Sequence, residues 1–224
     1  MILTGAGISR ESGLHTFRDA DGVWSQVRLE DVATPEAFAR DPARVQAFYN
    51  ARRAQLSSVA PNAAHLALAR FDRCFDGELL LVTQNVDDLH ERAGSRRMLH
   101  MHGELRRVRC TACGLNPAWD GPITTGSACP GCGAVALRPD VVWFGEMPLH
   151  MPAIEQALSA CDLFVSIGTS GTVYPAAGFV QTASGHALTL ELNLEPSEGW
   201  TEFDESRHGP ATLLVPAFVD ELLG

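Results

Sequence analysis

The sequence is short of positive charge. Its 224 residues carry 17 basic and 27 acidic side chains, a formal net charge of -10. A surface this acidic repels polyanions, which argues against nucleic acid as a partner. The basic spots Arg106, Arg107 and Arg109 could steer a small anion at most. No run of about 18 apolar residues occurs, so no membrane span is expected. The opening Met1-Ile2-Leu3-Thr4-Gly5 lacks the charged start and cleavage site of a secretory signal, and the expected location is cytoplasmic. Internal repeats and low-complexity tracts are absent as well. What remains is an ordinary globular composition, 46% hydrophobic and 20% charged, which suits one main domain with a smaller module.

Short apolar runs recur at 2–4, 79–82, 141–144, 163–167, 188–192 and 212–215. Each has the length of a strand, and several are apolar throughout, as strands buried on both faces are. Helical stretches lie between them. Asn62, after Pro61, is a natural cap for a helix reaching Arg73. The stretches 152–160, 175–183 and 216–223 each begin with proline, which suits a first helical turn. This alternation predicts an α/β fold with a parallel, doubly wound sheet. Two regions break it. Residues 35–60 read as helix, with Phe38, Val45, Phe48, Ala51 and Leu56 as apolar points. Residues 104–138 are rich in glycine and proline and cannot build a core alone.

Four of the six cysteines fall in that second region. Cys110-Thr111-Ala112-Cys113 and Cys129-Pro130-Gly131-Cys132 are separated by fifteen residues, the spacing of a four-cysteine zinc site. Two residues between ligands let a tight turn aim both sulfurs at one metal, and Gly114 and Gly133 free each turn to close. Four thiolates leave no open position, so the zinc is expected to be structural. Cys74 and Cys161 stand alone among apolar neighbours and read as buried core thiols.

Other residues say less by themselves. Gly5-Ala6-Gly7 follows the first apolar run, where glycines let backbone N–H groups approach a pyrophosphate. The dinucleotide fingerprint is incomplete, because Arg10 stands where its third glycine belongs, and a simple tight turn explains the pair as well. His102 can take and return a proton near neutral pH, but so can the other histidines. Tyr49 and Arg52 stand three apart in the helical region and share a helix face. A phenol beside a guanidinium fork is a good carboxylate clamp; a surface tyrosine with a solvated arginine is the plainer alternative.

Taken together and in order, the motifs resemble the sirtuin family. They are Gly5-Ala6-Gly7-Ile8-Ser9, Thr16-Phe17-Arg18, Gln84-Asn85-Val86-Asp87, His102-Gly103, Arg138-Pro139, Phe144-Gly145-Glu146, Gly168-Thr169-Ser170 and Asn193-Leu194-Glu195. They span nearly the whole chain, with the cysteine pairs in the family's place. The resemblance implies one catalytic domain over 1–224. Its large part is a Rossmann-like doubly wound sheet that binds NAD. Its small zinc-binding and helical domain is formed by two insertions, 33–61 and 104–138.

The implied activity is NAD-dependent removal of acyl groups from lysine in proteins or peptides. The acyl oxygen attacks the ribose carbon bearing nicotinamide, nicotinamide leaves, and a ribose hydroxyl finally captures the acyl carbon. The resemblance makes His102 the general base. Asn85 would position ribose or a water, Asp87 would hold the nicotinamide carboxamide, and Gln84 would contact the ribose. The cofactor segment maps onto Gly5, Ala6, Gly7, Ile8, Ser9, Glu11, Thr16, Phe17, Arg18 and Trp24, with Phe17 shielding the ribose. Val86, Gly168, Thr169, Ser170, Asn193, Leu194, Glu195 and Ala211 complete it, the last beside the adenine. Phe144-Gly145-Glu146 and Val173-Tyr174 resemble the two strips that sandwich the peptide. Within the family the likeness is to the class III members, in which a Tyr-x-x-Arg pair reads the distal carboxylate of succinyl- or malonyl-lysine. Tyr49 and Arg52 match that pair, and Ala33 matches a small residue that leaves room for the chain. Residual deacetylation is expected too. His15 stands where such members often carry arginine or proline. A mono-ADP-ribosyltransferase and a non-enzymatic NAD-sensing module are the rival readings, and a monomer is compatible with the sequence.

Overall fold

The computed structural model describes residues 1–14 and 28–224. Eight strands are present among them: β1 (Ile2–Thr4), β2 (Leu81–Thr83), β3 (Met98–His100), β4 (Gly103–Cys110), β5 (Leu137–Val141), β6 (Leu163–Ile167), β7 (Leu188–Asn193) and β8 (Glu205–His208). Six form a parallel sheet in the order β3-β2-β1-β6-β7-β8. The strand order therefore reverses between β1 and β6. In open α/β sheets the crevice beyond the carboxyl ends at such a point is where ligands bind.

Side chains alternate across the sheet, and helices cover both faces. Ile2, Leu81, Val165 and Ile167 pack against Ala64, Leu68 and Phe71 of α4 (Ala63–Cys74) and against Val215, Phe218 and Val219 of the last helix (Ala211–Leu223). Leu3, Val82 and Phe164 point the other way. They meet Ile154 and Leu158 of the helix Met151–Ala160, and Phe179, Val180 and Ala183 of the helix Phe179–Ala183. This period-two division of one strand between two cores is what a doubly wound sheet requires.

The expected helix after Asn62 forms as predicted. Asn62 Oδ1 accepts from the backbone N–H of Ala64 and His65, and His65 Nδ1 accepts from Asn62 N. Residues 35–60 hold two helices, α2 (Pro35–Arg40) and α3 (Pro42–Gln55), capped by Thr34 and Asp41. In chain order the remaining helices are α1 (Gly7–Arg10), α5 (Leu89–Ala93), α6 (Met151–Ala160), α7 (Phe179–Ala183) and α8 (Ala211–Leu223).

Three expectations need correction. Residues 212–215 are not a strand but the first turn and a half of α8. A four-residue apolar run cannot distinguish the two, whereas burial at 215, 218 and 219 has the helical period. Pro216 lies inside this helix and removes one backbone bond, a cost of about 3 kcal/mol. Burying Val215, Phe218 and Val219 contributes roughly 1.5–3 kcal/mol each and outweighs it. The run 141–144 is strand only at its first residue, because β5 ends at Val141 and the chain turns through Trp143 to Glu146. Cys74 is exposed and Cys161 half-buried, so neither is a fully buried thiol. No described helix is long and apolar enough to cross a membrane.

Candidate active site

The loops after β1 and β6 touch at backbone distance. Gly7 N donates to Gly168 O at 2.7 Å. A Cβ on Gly7 would lie 2.7 Å from that oxygen, and one on Gly168 would lie 2.5 Å from Ile8 N. Gly168 also has φ +63°, so side chains are excluded there twice over. Glycine at Gly5, Gly7 and Gly168 thus brings the backbone of Ala6 and Ile8 to the switch point. Thr169 and Ser170 follow there, and Asn193 Nδ2 donates to Thr169 O at 2.7 Å across from the end of β7.

The loop after β2 closes onto the same place. Asn85 Nδ2 donates to Gly5 O at 3.2 Å and to Ser9 Oγ at 3.1 Å. Among the described residues its Oδ1 has no donor. Ser9 Oγ donates to Asp87 Oδ2 at 3.0 Å, and Asp87 Oδ1 accepts from Leu89 N at 3.1 Å. Burial pushes the Asp87 carboxyl up, partly offset by those two bonds and by the His100 charge. Gln84 Nε2 is buried without a partner among the described residues. A buried amide donor with nothing to bond asks for a ligand acceptor.

His102 sits in the turn between β3 and β4. Its Nδ1 is 3.1 Å from Gln84 O, and a carbonyl can only accept. Nδ1 therefore carries the hydrogen and Nε2 keeps its lone pair. Burial holds the His102 pKa below its usual value, against the upward pull of Gln84. His100, two residues earlier, is different. Its Nδ1 donates to Asn85 O at 2.9 Å and its Nε2 to the Glu91 carboxylate. Burial alone would lower its pKa, but Glu91 reverses the shift and raises it. Burial thus favours the neutral form of His102 while Glu91 favours the charged form of His100, and the two grip consecutive carbonyls of one loop.

The acyl-reading candidates gather beside this loop. Ala33, Tyr49 and Trp143 share one buried cluster, with Val86 packed against it. Val142 N donates to His102 O at 2.9 Å, and Phe144 N donates to Ala33 O at 3.0 Å, so the segment between them is pinned at both ends. The half-buried Arg52 feels both the Tyr49 phenol and the Asp87 carboxylate, and burial lowers its pKa against them. Phe144 and Tyr174 are exposed, Val173 partly so, and Gly145 has φ +89°.

Some candidates are committed elsewhere. Glu146 is held by Arg138 at 2.6 and 2.9 Å and accepts from Trp143 N at 2.9 Å, which overrides burial and lowers its pKa. Glu11 caps α8 by accepting from Thr212 N and its hydroxyl, next to Ala211. Leu194 and Glu195 are exposed in the loop after β7. His15, Thr16, Phe17, Arg18 and Trp24 lie outside the described residues. Arg138, Trp143 and His100 escaped assignment, because an arginine in a strand, an apolar run and one histidine among eight carry no periodic signal.

The four paired cysteines converge. Their sulfurs all lie within 4.8 Å of one another, with Cys110–Cys132 at 3.7 Å and Cys113–Cys129 at 3.8 Å. A disulfide would need about 2.05 Å. A tetrahedron with zinc–sulfur bonds of about 2.3 Å has edges of about 3.8 Å, so donor set and size fit one zinc ion. The two turns match each other: Gly114 N bonds Cys110 O and Gly133 N bonds Cys129 O, both at 2.9 Å, with φ of +76° and +74°.

Comparison with known proteins agrees with this geometry. The model of the Sir2 family matches residues 5–175. An NAD-dependent protein deacylase of Salmonella typhimurium is 58% identical over 227 residues, covering 100% of this chain and 83% of that protein. One of Escherichia coli K12 is 59% identical over 227 residues, covering 100% of this chain and 81% of that protein. A solved complex of a Sir2 homologue with NAD superposes with a TM-score of 0.91 at 38% identity, covering 100% of this chain and 90% of the other. A match running from the glycines behind β1 to the loop behind β6, with relatives alike along the whole length, shows that this chain belongs to the Sir2 family, the sirtuins.

Proposed function

We propose that this chain is an NAD-dependent protein-lysine deacylase that removes succinyl and malonyl groups, and acetyl groups less selectively. The observation that carries the reading is His102, whose Nδ1 bonds Gln84 O and whose Nε2 has no partner among the described residues, set against the loop that carries the orphaned Gln84 amide, with Asp87 of that loop acting on Arg52. NAD would supply the ribose carbon that releases nicotinamide and the hydroxyl that takes the acyl group. His102 Nε2 would accept the proton of that hydroxyl. Gln84 Nε2 would donate to the ribose, Asn85 Oδ1 would accept from ribose or a water, and Asp87 would accept from the carboxamide. The products are free lysine, nicotinamide and O-acyl-ADP-ribose.

The peptide would lie along Phe144–Gly145 and Val173–Tyr174, bound mainly through its backbone, so wide sequence tolerance is expected. We also read 33–61 and 104–138 as the two insertions of one small domain. The bonds from Asn50 and Arg53 of α3 to Ile123, Leu105 and Gly121 support that grouping. A cytoplasmic location remains part of the proposal.

The test is incubation with NAD and one peptide carrying succinyl-, malonyl- or acetyl-lysine, followed by mass spectrometry. All 17 basic residues of the chain are arginine, so the acyl-lysine signal comes from the peptide alone. Release of nicotinamide with unmodified peptide is expected. Three intact peptides with folded enzyme would overturn the reading, and ADP-ribose left on protein would point to transfer instead.

A further inference from the structure

The Tyr49 hydroxyl owns one hydrogen and two lone pairs, whereas an indole N–H can only donate. Trp143 Nε1 lies 3.0 Å from that hydroxyl. The phenol oxygen is therefore the acceptor, and its own hydrogen must point away from Trp143. Tyr49 is 4% exposed, and among the described residues it donates to no group. Burial pushes its phenol up to about 12, against the pull of Trp143, Arg52 and Arg138, so the hydrogen stays on at any working pH. A buried donor of this kind needs an acceptor from a ligand.

Trp143 is itself held on every side. The Arg138 guanidinium carbon lies 3.4 Å from the indole centroid. Arg138 grips Glu146 with both terminal nitrogens and also donates to Val141 O at 2.9 Å. Glu146 in turn accepts from the Trp143 backbone N–H at 2.9 Å. The Phe38 ring packs at 5.2 Å. Ring plane and backbone are thus both fixed, and the indole N–H has one direction.

We propose that Trp143 is a positioning residue for acyl-group selection: its N–H occupies the Tyr49 oxygen and turns the phenol hydrogen toward a carboxylate at the end of the acyl chain. Arg138 and Glu146 hold the indole for that task. This rests on reading Tyr49 and Arg52 as the carboxylate clamp. It adds that the clamp depends on a residue that never touches substrate. A fixed O–H meets a carboxylate without first losing rotational freedom, and a neutral acetyl group gains nothing from it.

The test is Trp143→Phe, which keeps a ring beneath Arg138 and removes the N–H. The kcat/KM of the full chain would be measured with NAD and one peptide in succinyl and acetyl forms. Loss of one bond to a charged acceptor is expected to lower the succinyl value about tenfold more than the acetyl value. The loss should fall mainly on KM, because the carboxylate does not react. Tyr49→Phe should give the same selective loss, and the double variant little beyond either single one. Equal losses on both peptides, or additive losses, would overturn the proposal. Should Trp143→Phe fail to melt cooperatively with its zinc, Arg138→Lys is the second variant. It frees the ring and keeps the N–H, so a smaller selective loss is expected and an equal loss again overturns the idea. If Arg52→Met is selective while Trp143→Phe is not, the clamp stands and this inference falls. If neither is selective, the clamp falls as well.

Discussion

The Nδ1–H of His102 donates to the carbonyl of Gln84 across 3.1 Å, and this bond decides which ring nitrogen can act as base. Only the neutral ring is useful, and burial favours the neutral ring. The acid limb of kcat/KM should therefore lie below pH 6.5, the ordinary histidine value, with activity falling as pH drops through it. A limb at or above that value would contradict the assignment. His102→Ala should cost about 10²–10⁴-fold in kcat, measured on acetyl-peptide so that the acyl clamp plays no part.

A zinc ion held by the four cysteines would act on this site only through structure. The α3 face bearing Gln46, Asn50 and Arg53 points at the cysteine region, bonding Leu137 O, Ile123 and Leu105 O. The same helix turns Tyr49 and Arg52 toward the cleft. Losing the metal should loosen the strand pair β4–β5, and with it the helix that aims the clamp. Chelation, or Cys129→Ser, should remove one zinc per chain and lower the melting temperature and activity together. Full activity after verified zinc loss would show that the two regions are uncoupled.

How much of this was legible in the sequence follows from what each feature depends on. The cysteine pairs, the cap at Asn62 and the buried strands rest on local spacing, and all three are present in the fold. The edge strands β3 and β8 gave no signal, because β8 is Glu-Ser-Arg-His and largely exposed. The loop of Gln84 to Asp87 was readable by likeness, but its support by His100, His102 and Ser9 depends on contacts between distant segments. Glu146 shows the same limit: its motif gave no sign that its carboxylate binds Arg138.

In the proposed reading Arg52 separates acyl preference from catalysis. The residue is half-buried and its charge feels both the Tyr49 phenol and the Asp87 carboxylate. Arg52→Met keeps the length and removes the charge. Desuccinylation should fall by at least about 30-fold, the value for one or two charge-assisted bonds, while deacetylation falls much less. Competition assays with both peptides in one tube read the ratio directly. A ratio unchanged from the parent would remove the clamp from the description.

His65 makes stability itself depend on pH. It is fully buried, with Nε2 3.4 Å from Ser9 Oγ, and burial lowers its pKa from 6.5 to about 4. Between those values the unfolded chain binds the proton and the folded chain does not, so stability rises with pH across that window. Acidification should therefore begin to cost stability below pH 6.5 and stop adding to the cost below about 4. The full effect is about 3 kcal/mol for this one ring. His65→Gln cannot titrate, yet it can still accept from Asn62 N and keep the reciprocal cap of α4. Urea unfolding at about pH 7.5 and about pH 4.5 should then show a smaller difference for the variant, by about 2–3 kcal/mol. Because His90 is also held neutral by burial, the variant should retain some acid sensitivity. Identical pH slopes for the two proteins would mean that His65 charges in the folded state, and the buried histidine behind Ser9 would have to be redrawn as a cation.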